Sequence, residues 1–151
     1  MTLAIRPVIE ADYAQWRLLW DGYNRFYGRF DATALPEAIT AQAWDRFHDP
    51  AEPVHALVAQ QDGRLVGLVH YLFHRSTNLL GDICYLQDLF TDASCRGRGV
   101  GRALIEAVYE RARAAGSPRV YWQTHETNAR AMALYNDVAA RSGFLVYRKD
   151  L

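Results

Sequence analysis

Residues 95–102 read Cys95-Arg96-Gly97-Arg98-Gly99-Val100-Gly101-Arg102. A β-forming run at 83–90 precedes this glycine loop, and a helical pattern with apolar residues three and four positions apart follows it. Glycine lets a backbone approach a ligand closely, and the first turn of a helix presents unpaired N–H groups and partial positive charge. The placement therefore predicts a site for a phosphate or pyrophosphate group, to which the arginines add charge and bidentate donors.

Two common phosphate-binding patterns do not match the glycine loop. A P-loop requires Gly-Lys-Ser/Thr, whereas this chain has Gly101-Arg102-Ala103, without the lysine or the magnesium-binding hydroxyl. The dinucleotide pattern GxGxxG fails because Arg102 or Leu104 stands where the third glycine belongs. A nucleotide hydrolase or a dinucleotide enzyme remains an alternative, but the glycine loop is the only feature of the sequence that favours it.

The segments around the loop predict a sheet with flanking helices. We expect strands at residues 4–8, 54–59, 65–73, 83–90, 120–124 and 144–148, and helices that begin near residues 12, 36, 100 and 128. The Asp62-Gly63 pair favours a tight hairpin turn between the second and third strands. Because a helix connects the strands at 83–90 and 120–124, these two strands are predicted to be parallel.

Length and composition predict one globular domain over residues 1–151. The chain is 50% hydrophobic and 23% charged, which is typical of a folded domain. Its 17 basic and 17 acidic residues cancel, which argues against non-specific nucleic-acid binding. Two cysteines make no disulfide framework, and no signal peptide or apolar run of about 20 residues is evident. We therefore expect a cytoplasmic protein that binds neither nucleic acid nor membrane.

Two motifs occur in the order of one known family. The segment Arg96-Gly97-Arg98-Gly99-Val100-Gly101 matches the pattern (Arg/Gln)-x-x-Gly-x-(Gly/Ala), and Asn128-Ala129-Arg130-Ala131-Met132-Ala133-Leu134-Tyr135 matches Asn-x-x-Ala-x-x-Leu-Tyr. These are the pyrophosphate loop and a following helix of the GNAT N-acetyltransferase superfamily, which the chain resembles over nearly its full length. The segments at 67–71, 85–90 and 134–139 look most like the branch that acetylates polyamines and basic protein tails.

The resemblance implies a fold and a cosubstrate. The implied fold is α/β (α+β): a mostly antiparallel mixed sheet of about six strands, about four helices, and one parallel βαβ crossover at the acetyl-CoA site. Acetyl-CoA would bind through its pyrophosphate to the glycine loop and through its pantetheine arm to the central strand. The residues so implied are Leu89, Phe90, Thr91, Arg96, Gly97, Arg98, Gly99, Val100, Gly101, Arg102, Asn128 and Tyr135. Asn128 is also predicted, by its position, to cap the last helix.

The resemblance also implies direct attack of a primary amine on the thioester, with proton transfers managed by the protein. Tyr135 falls on the position of the general acid that protonates the leaving thiolate. From periodicity alone, Tyr135 is a core tyrosine on the apolar face of its helix.

The general base is less clear because Gln87 stands where the branch typically has Glu. A neutral amide cannot accept the proton, so Asp88 is the candidate for a water-relayed base, provided that a bulge interrupts the strand alternation. Otherwise Asp88 is a structural carboxylate. Gln87 also motivates an alternative function, a non-catalytic module that binds or senses coenzyme A.

Gln87, Tyr23 and Tyr27 are the candidates for acceptor binding. The tyrosines would contact an aliphatic ammonium group by cation–π interaction, or would belong with Trp16 and Trp20 to an apolar helical stripe beneath the sheet. The acceptor is expected to be a small-molecule or protein amine. The edge of the final strand is available for a homodimer.

No metal is expected, because His70 and His74 lack a third ligand at suitable spacing. They are interpreted as packed or surface histidines. Cys84 is interpreted as a small buried hydrophobe on a central strand.

Overall fold

A computed structural model describes residues 2–151. The sheet within these residues has five strands in the order β1-β2-β3-β4-β5. Their bounds are Leu3–Pro7 for β1, Val54–Gln61 for β2, Arg64–His74 for β3, Ile83–Thr91 for β4 and Val120–Tyr121 for β5. Neighbouring strands are antiparallel except β4 and β5, which are parallel. The predicted crossover is therefore confirmed.

Four α-helices cover the two faces of the sheet. Their bounds are Tyr13–Phe26 for α1, Glu37–Phe47 for α2, Val100–Ala114 for α3 and Ala129–Val138 for α4. Trp16 and Trp20 of α1 pack with Leu68 in one apolar cluster, and Leu104 of α3 packs with Val69 in the other. Each face of the sheet is thus buried against helices, as a layered α/β domain requires.

The β2–β3 hairpin forms as the sequence predicts. Asp62 and Gly63 have φ values of 53° and 76°, both in the left-handed region. Positive φ at both central residues is the requirement of a type I′ turn, whose twist matches that of the flanking strands. The turn therefore sets the register in which β2 and β3 pair.

A β-bulge at Gln87 changes which face of the sheet Asp88 occupies. His70 pairs with Asp88, whereas Tyr71 pairs with Leu86, so Gln87 has no partner on β3. Leu86 packs in the α3-side cluster, and regular alternation would put Asp88 there too. The extra residue instead turns Asp88 toward α1, which is the exception to alternation that the sequence reading required.

Several predicted boundaries are wrong. The final strand predicted at 144–148 has no strand partner within residues 2–151, so the sheet has five strands and not six. β5 covers two residues rather than 120–124. The apolar pattern at 144–147 is typical of a strand, but a strand forms only where a second edge is present to pair with it.

The inner face of α2 carries a buried polar residue. Ile39 is exposed, whereas Thr40 is buried and accepts a hydrogen bond from Trp20 Nε1 at 3.1 Å. A buried indole N–H needs an acceptor, and a hydroxyl supplies one. Trp16 and Trp20 are both buried, which confirms their interpretation as a core stripe.

Candidate functional site

The parallel strands β4 and β5 separate shortly after they meet. They pair only at Cys84 with Val120 and at Tyr85 with Tyr121. β4 continues to Thr91 with β3 on one side, and no strand of the described chain pairs with its other side there. Backbone N–H and C=O groups on that edge can pair with an extended ligand as an added strand would. Leu89, Phe90 and Thr91 lie on this open edge.

The glycine loop lies at the end of the same strand. Gly99 occupies the N-cap position of α3 with φ 83°, and Gly97 has φ 77°. A Cβ atom at either residue would meet nothing within 4 Å, so the space above the loop is open. The first turn of α3 carries no acidic residue. The loop therefore presents backbone N–H groups and partial positive charge to solvent, which suits a pyrophosphate.

The third glycine of the loop serves packing. A Cβ atom at Gly101 would meet Leu134 Cδ2 at 3.5 Å and Thr91 Oγ1 at 3.9 Å. Gly101 therefore brings α3 close to α4 and to the end of β4, while Gly97 and Gly99 face the open space.

The predicted arginines have three different environments. Arg96 Nε donates to the Thr91 carbonyl oxygen at 3.2 Å, and its guanidinium lies 5.6 Å from the centre of the Phe90 ring. Arg98 lines a surface depression with Arg64 and Ser94. Arg102 forms an ion pair with Asp137 of α4. Arg96 and Arg102 thus stabilise the loop and the helix pair, whereas Arg98 lies at a surface depression.

A buried polar chain connects α1 to β4. Trp16 Nε1 donates to His70 Nε2 at 3.0 Å, and His70 Nδ1 lies 2.9 Å from Asp88 Oδ2. An indole N–H can only donate, so Nε2 of His70 must be the accepting nitrogen. The imidazole proton is therefore on Nδ1, where it is donated to the Asp88 carboxylate. Both side chains are nearly buried, with exposures of 5% for His70 and 12% for Asp88.

Three tyrosines of this region have raised pKa values. Burial raises the pKa of Tyr23, and the negative charge of Asp88 raises it further. Burial also raises the pKa of Tyr85, with further contributions from Tyr121 and Asp88. The pKa of Tyr135 is raised first by burial and then by Tyr27. Phenols are already protonated at neutral pH, and these raised pKa values extend that protonation to higher pH.

Arg29 adds a positive charge beside the acceptor candidates. Its guanidinium lies 5.3 Å from the centre of the Tyr27 ring and 5.8 Å from that of Tyr23, and its Nε donates to Asn24 Oδ1 at 2.7 Å. Tyr23 is buried, whereas Tyr27 is 45% exposed. The surface at Tyr23 and Tyr27 therefore combines aromatic rings with a guanidinium that Asn24 holds in place.

Sequence reasoning missed Arg29 and the role of His70. Arg29 follows the end of α1, and only the folded chain shows that it lies over the tyrosines. The sequence did contain a signal for the buried contacts of His70, because a histidine inside an apolar strand needs polar partners when it is buried. His74, its neighbour on β3, instead contacts the Tyr121 hydroxyl through Nε2 at 2.9 Å.

Asn128 does not cap α4 as predicted. It occupies the N-cap position, but its side chain makes no capping hydrogen bond. Its Nδ2 instead lies 3.5 Å from Thr124 Oγ1, at the end of the loop from β5. Gln87 is exposed in the bulge. Both side chains remain available to a ligand.

The cysteines are packed residues in this fold. Burial raises the pKa of Cys84 to about 12, so its thiol stays protonated, as its interpretation as a small hydrophobe requires. Cys95 is buried below the glycine loop.

Across residues 2–151, three or more His, Cys, Asp or Glu side chains nowhere gather closely enough to hold a metal ion. No helix in that range has both the length and the apolar character needed to cross a membrane.

Comparison with known proteins places this architecture in a family. Residues 15–139 match the acetyltransferase (GNAT) family. D-amino-acid N-acetyltransferase HPA3 of Saccharomyces cerevisiae is 32% identical over 150 residues, which cover 98% of this chain and 91% of the yeast protein. Mycothiol acetyltransferase of Acidimicrobium ferrooxidans is 33% identical over 117 residues, 76% of this chain but only 34% of that protein.

The fold also matches solved structures. The aminoglycoside N-acetyltransferase AAC(6')-Iy in complex with CoA superimposes with a TM-score of 0.78 at 20% identity, covering 99% of this chain and 95% of that one. At this identity the match establishes the shared fold.

Proposed function

The chain belongs to the acetyltransferase (GNAT) family, and from this premise we propose that it transfers an acetyl group from acetyl-CoA directly to a primary amine. The observation that carries the proposal is the separation of β4 from β5, which opens the β4 edge beside the glycine loop. Acetyl-CoA supplies the acetyl group as a thioester. The backbone at Leu89, Phe90 and Thr91 would bind the pantetheine arm, and the N–H groups near Gly97 and Gly99 would bind the pyrophosphate.

Proton transfer accompanies the acetyl transfer. The amine nitrogen forms a bond to the carbonyl carbon, the carbon–sulfur bond breaks, and the thiolate leaves. Tyr135 would protonate that thiolate, since its raised pKa keeps the phenol protonated until the leaving group needs the proton. Asp88 would accept the amine proton through a water molecule, because His70 Nδ1–H holds its carboxylate as an acceptor.

We further propose that the acceptor carries a carboxylate next to its amine. Arg29 places a guanidinium over Tyr23 and Tyr27, where it would pair with such a carboxylate and repel a polyamine. The yeast relative, whose name specifies D-amino acids, supports this choice. Gln87, exposed in the bulge, would contribute an amide contact on the same side.

Acetyl-CoA-dependent release of thiol tests the proposal on an amine panel. The panel holds D- and L-amino acids, their methyl esters, spermidine, a lysine peptide and an aminoglycoside. We expect the amino acids to be preferred and their esters to be poor, because esterification removes the carboxylate. Arg29→Gln should raise the KM for amino acids about 10- to 100-fold, the equivalent of losing one charge-assisted hydrogen bond.

Arg25→Gln is the matched control, because Arg25 lies in the last turn of α1, close to Arg29 in the sequence, but its guanidinium is over Phe30, 4.7 Å from the ring centre. It should leave the KM unchanged. A preference for spermidine that Arg29→Gln does not alter would overturn the acceptor assignment and leave acetyl transfer standing. Binding of CoA with no amine acetylated would contradict acetyl transfer and favour a sensor.

A further inference from the structure

Three aromatic side chains lie together where β4 and β5 pair, and we call them the aromatic surface. The rings of Tyr85 and Tyr121 stack, with their centres 4.9 Å apart and 26° between their planes. The ring of His74 meets that of Tyr121 edge-on, with 5.7 Å between the centres. Cys84, next to Tyr85 on β4, packs in the α3-side cluster. Alternation along the strand therefore turns Tyr85 to the opposite face, which α1 covers.

The aromatic surface lies outside the core. Neither Tyr85 nor Tyr121 belongs to the two apolar clusters of the described chain. On this face α1 packs on β3 and β4 and α2 packs on β2, whereas β5 forms the far edge of the sheet. Both tyrosines and His74 are half-buried. Stacked rings that remain half-buried and do not serve the core are typical of a surface that contacts a ligand.

Hydrogen bonds hold the aromatic surface in a neutral form. His74 Nδ1 lies 2.8 Å from the Arg75 carbonyl oxygen, which can only accept, so the proton of the neutral imidazole is on Nδ1. His74 Nε2 then accepts a hydrogen bond from the Tyr121 hydroxyl at 2.9 Å. Burial raises the pKa of Tyr85 and of Tyr121, so both phenols stay uncharged. The aromatic surface thus offers rings and no ion to a ligand.

The aromatic surface lies one step along the sheet from Asp88. Asp88 pairs with His70, and Tyr85 pairs with Leu72, two residues further along β3. The backbone positions of Asp88 and Tyr85 are therefore about 7 Å apart on the same face. This spacing is roughly that between the amino group and the ring of an aromatic amino acid. An amine held through water at Asp88 would thus direct its side chain over the rings of Tyr85 and Tyr121.

We propose that the aromatic surface binds the side chain of the acceptor amino acid and selects aromatic side chains. The inference rests on the proposed function, which places the amine near Asp88 and the carboxylate at Arg29. A third ring would extend the stack of Tyr85 and Tyr121, and burial of its apolar area would add to the affinity. A charged side chain would lose its hydration there, because the neutral surface has no ion to pair with it.

Steady-state kinetics with a series of amino acids test this subsite. The series is phenylalanine, tyrosine, leucine, lysine and alanine in both enantiomeric forms, which share the amine and the carboxylate and differ in the side chain. In the preferred form, kcat/KM for phenylalanine should exceed that for alanine about 10- to 100-fold, mainly through a lower KM. The ratio of the two values is independent of the amount of folded enzyme, so instability alone does not change it.

Two variants of one residue separate the ring from its hydrogen bond. Tyr121→Leu removes the ring from the stack and should lower the ratio of phenylalanine to alanine about tenfold. Tyr121→Phe keeps the ring but not the hydroxyl that donates to His74, and should keep the ratio of the parent.

Equal use of alanine and phenylalanine, or a preference for lysine over both, would overturn the subsite and leave acetyl transfer standing. An aromatic preference that Tyr121→Leu does not alter would assign the selection to other residues. Acetylation of spermidine but of no amino acid would remove the carboxylate assignment and the subsite together. Acetylation of no amine at all would contradict the proposed function, and the subsite with it.

Discussion

At the scale of single residues, the site depends on the nitrogen of His70 that carries the proton. The indole N–H of Trp16 donates to Nε2 of His70. The imidazole proton is therefore on Nδ1, where it is donated to Asp88. A neutral imidazole in this tautomer fixes the rotamer of the carboxylate and leaves its second oxygen for a water molecule. In the proposed mechanism, His70 is thus a positioning residue that acts through Asp88.

His70→Leu should lower kcat about 10- to 100-fold, because the carboxylate loses the donor that orients it. His70→Asn keeps an N–H near the position of Nδ1 and should retain most of the activity. Steady-state kinetics of both variants provide the measurement, with the KM for acetyl-CoA unchanged in each. Equal loss of activity in the two variants would indicate that His70 serves packing alone.

Tyr135→Phe should lower kcat by about 10²- to 10⁴-fold with little change in the affinity for CoA, because only the acidic proton is removed. Burial raises the pKa of Tyr135 above 10.0, and the acid must be protonated to act. The kcat of the parent should therefore be insensitive to this group through neutral pH and decline only above about pH 10. The pH profile of kcat, with calorimetry for CoA, measures both effects.

Tyr13→Phe is the control for that substitution. Tyr13 is the first residue of α1, and its hydroxyl accepts a hydrogen bond from Arg17 Nη1 at 3.3 Å. It should leave kcat unchanged. A Tyr135→Phe enzyme with the turnover of the parent across the pH range would remove Tyr135 from the mechanism.

At the scale of elements, Gly67 determines how closely α3 approaches the sheet. A Cβ atom there would lie 3.0 Å from both Leu104 and Val100 side chains and 3.1 Å from the Phe90 carbonyl oxygen. Gly67→Ala should therefore lower the free energy of unfolding by about 1–3 kcal/mol, although alanine normally suits a strand better than glycine. Urea denaturation measures this change.

Val100→Ala combined with Gly67→Ala should recover part of the loss, because it vacates space that the new methyl group needs. Simple additivity of the two single changes would show that the contact between β3 and α3 does not limit the packing.

An ion pair connects β1 to the residue that precedes the first turn of α1. Arg6 donates to both oxygens of Asp12 at 2.7 and 2.9 Å, and the Ile9 N–H donates to the same carboxylate. The Arg6 hydrogen bonds, with that of Ile9, hold the pKa of Asp12 below its ordinary value of 3.8. Because the pKa of Asp12 is lower in the folded state than in the unfolded state, its carboxylate stabilises the fold. This stabilisation is fully present at a pH above the ordinary pKa, and it is lost as the pH falls through the lower pKa of the folded state.

Asp12→Asn should therefore cost about 1.5–3 kcal/mol at neutral pH, and the difference from the parent should shrink as the solution becomes acidic. Asp21→Asn removes an exposed carboxylate paired with Arg17 and should cost less than about 1 kcal/mol. Denaturation at several pH values separates these outcomes, and a penalty for Asp12→Asn that stays constant into acid would contradict the account.

At the scale of the whole molecule, the sequence predicted the features that local pattern controls. The Asp62-Gly63 turn, the stripe of α1 and the crossover through the glycine loop each depend on neighbouring residues, and the structure has all three. The family followed from two motifs with definite spacing. Local chemistry therefore sufficed for most of the fold.

The remaining features depend on distant contacts. A one-residue bulge at Gln87 decides the face of Asp88, and periodicity cannot locate such an insertion. Arg29 reaches the tyrosines only through the path of the chain after α1. The final strand is predicted from its apolar residues, yet within residues 2–151 no strand pairs with it.

The most direct test of the central claim is mass spectrometry of all acetylated species after one incubation with acetyl-CoA and a D-amino acid. Direct transfer at the separation of β4 and β5 predicts one N-acetylated amino acid for each CoA released, with no acetyl group on the protein. An acetylated protein residue that passes its group to the amine would contradict direct transfer, and thiol release without an acetylated amine would contradict the function itself.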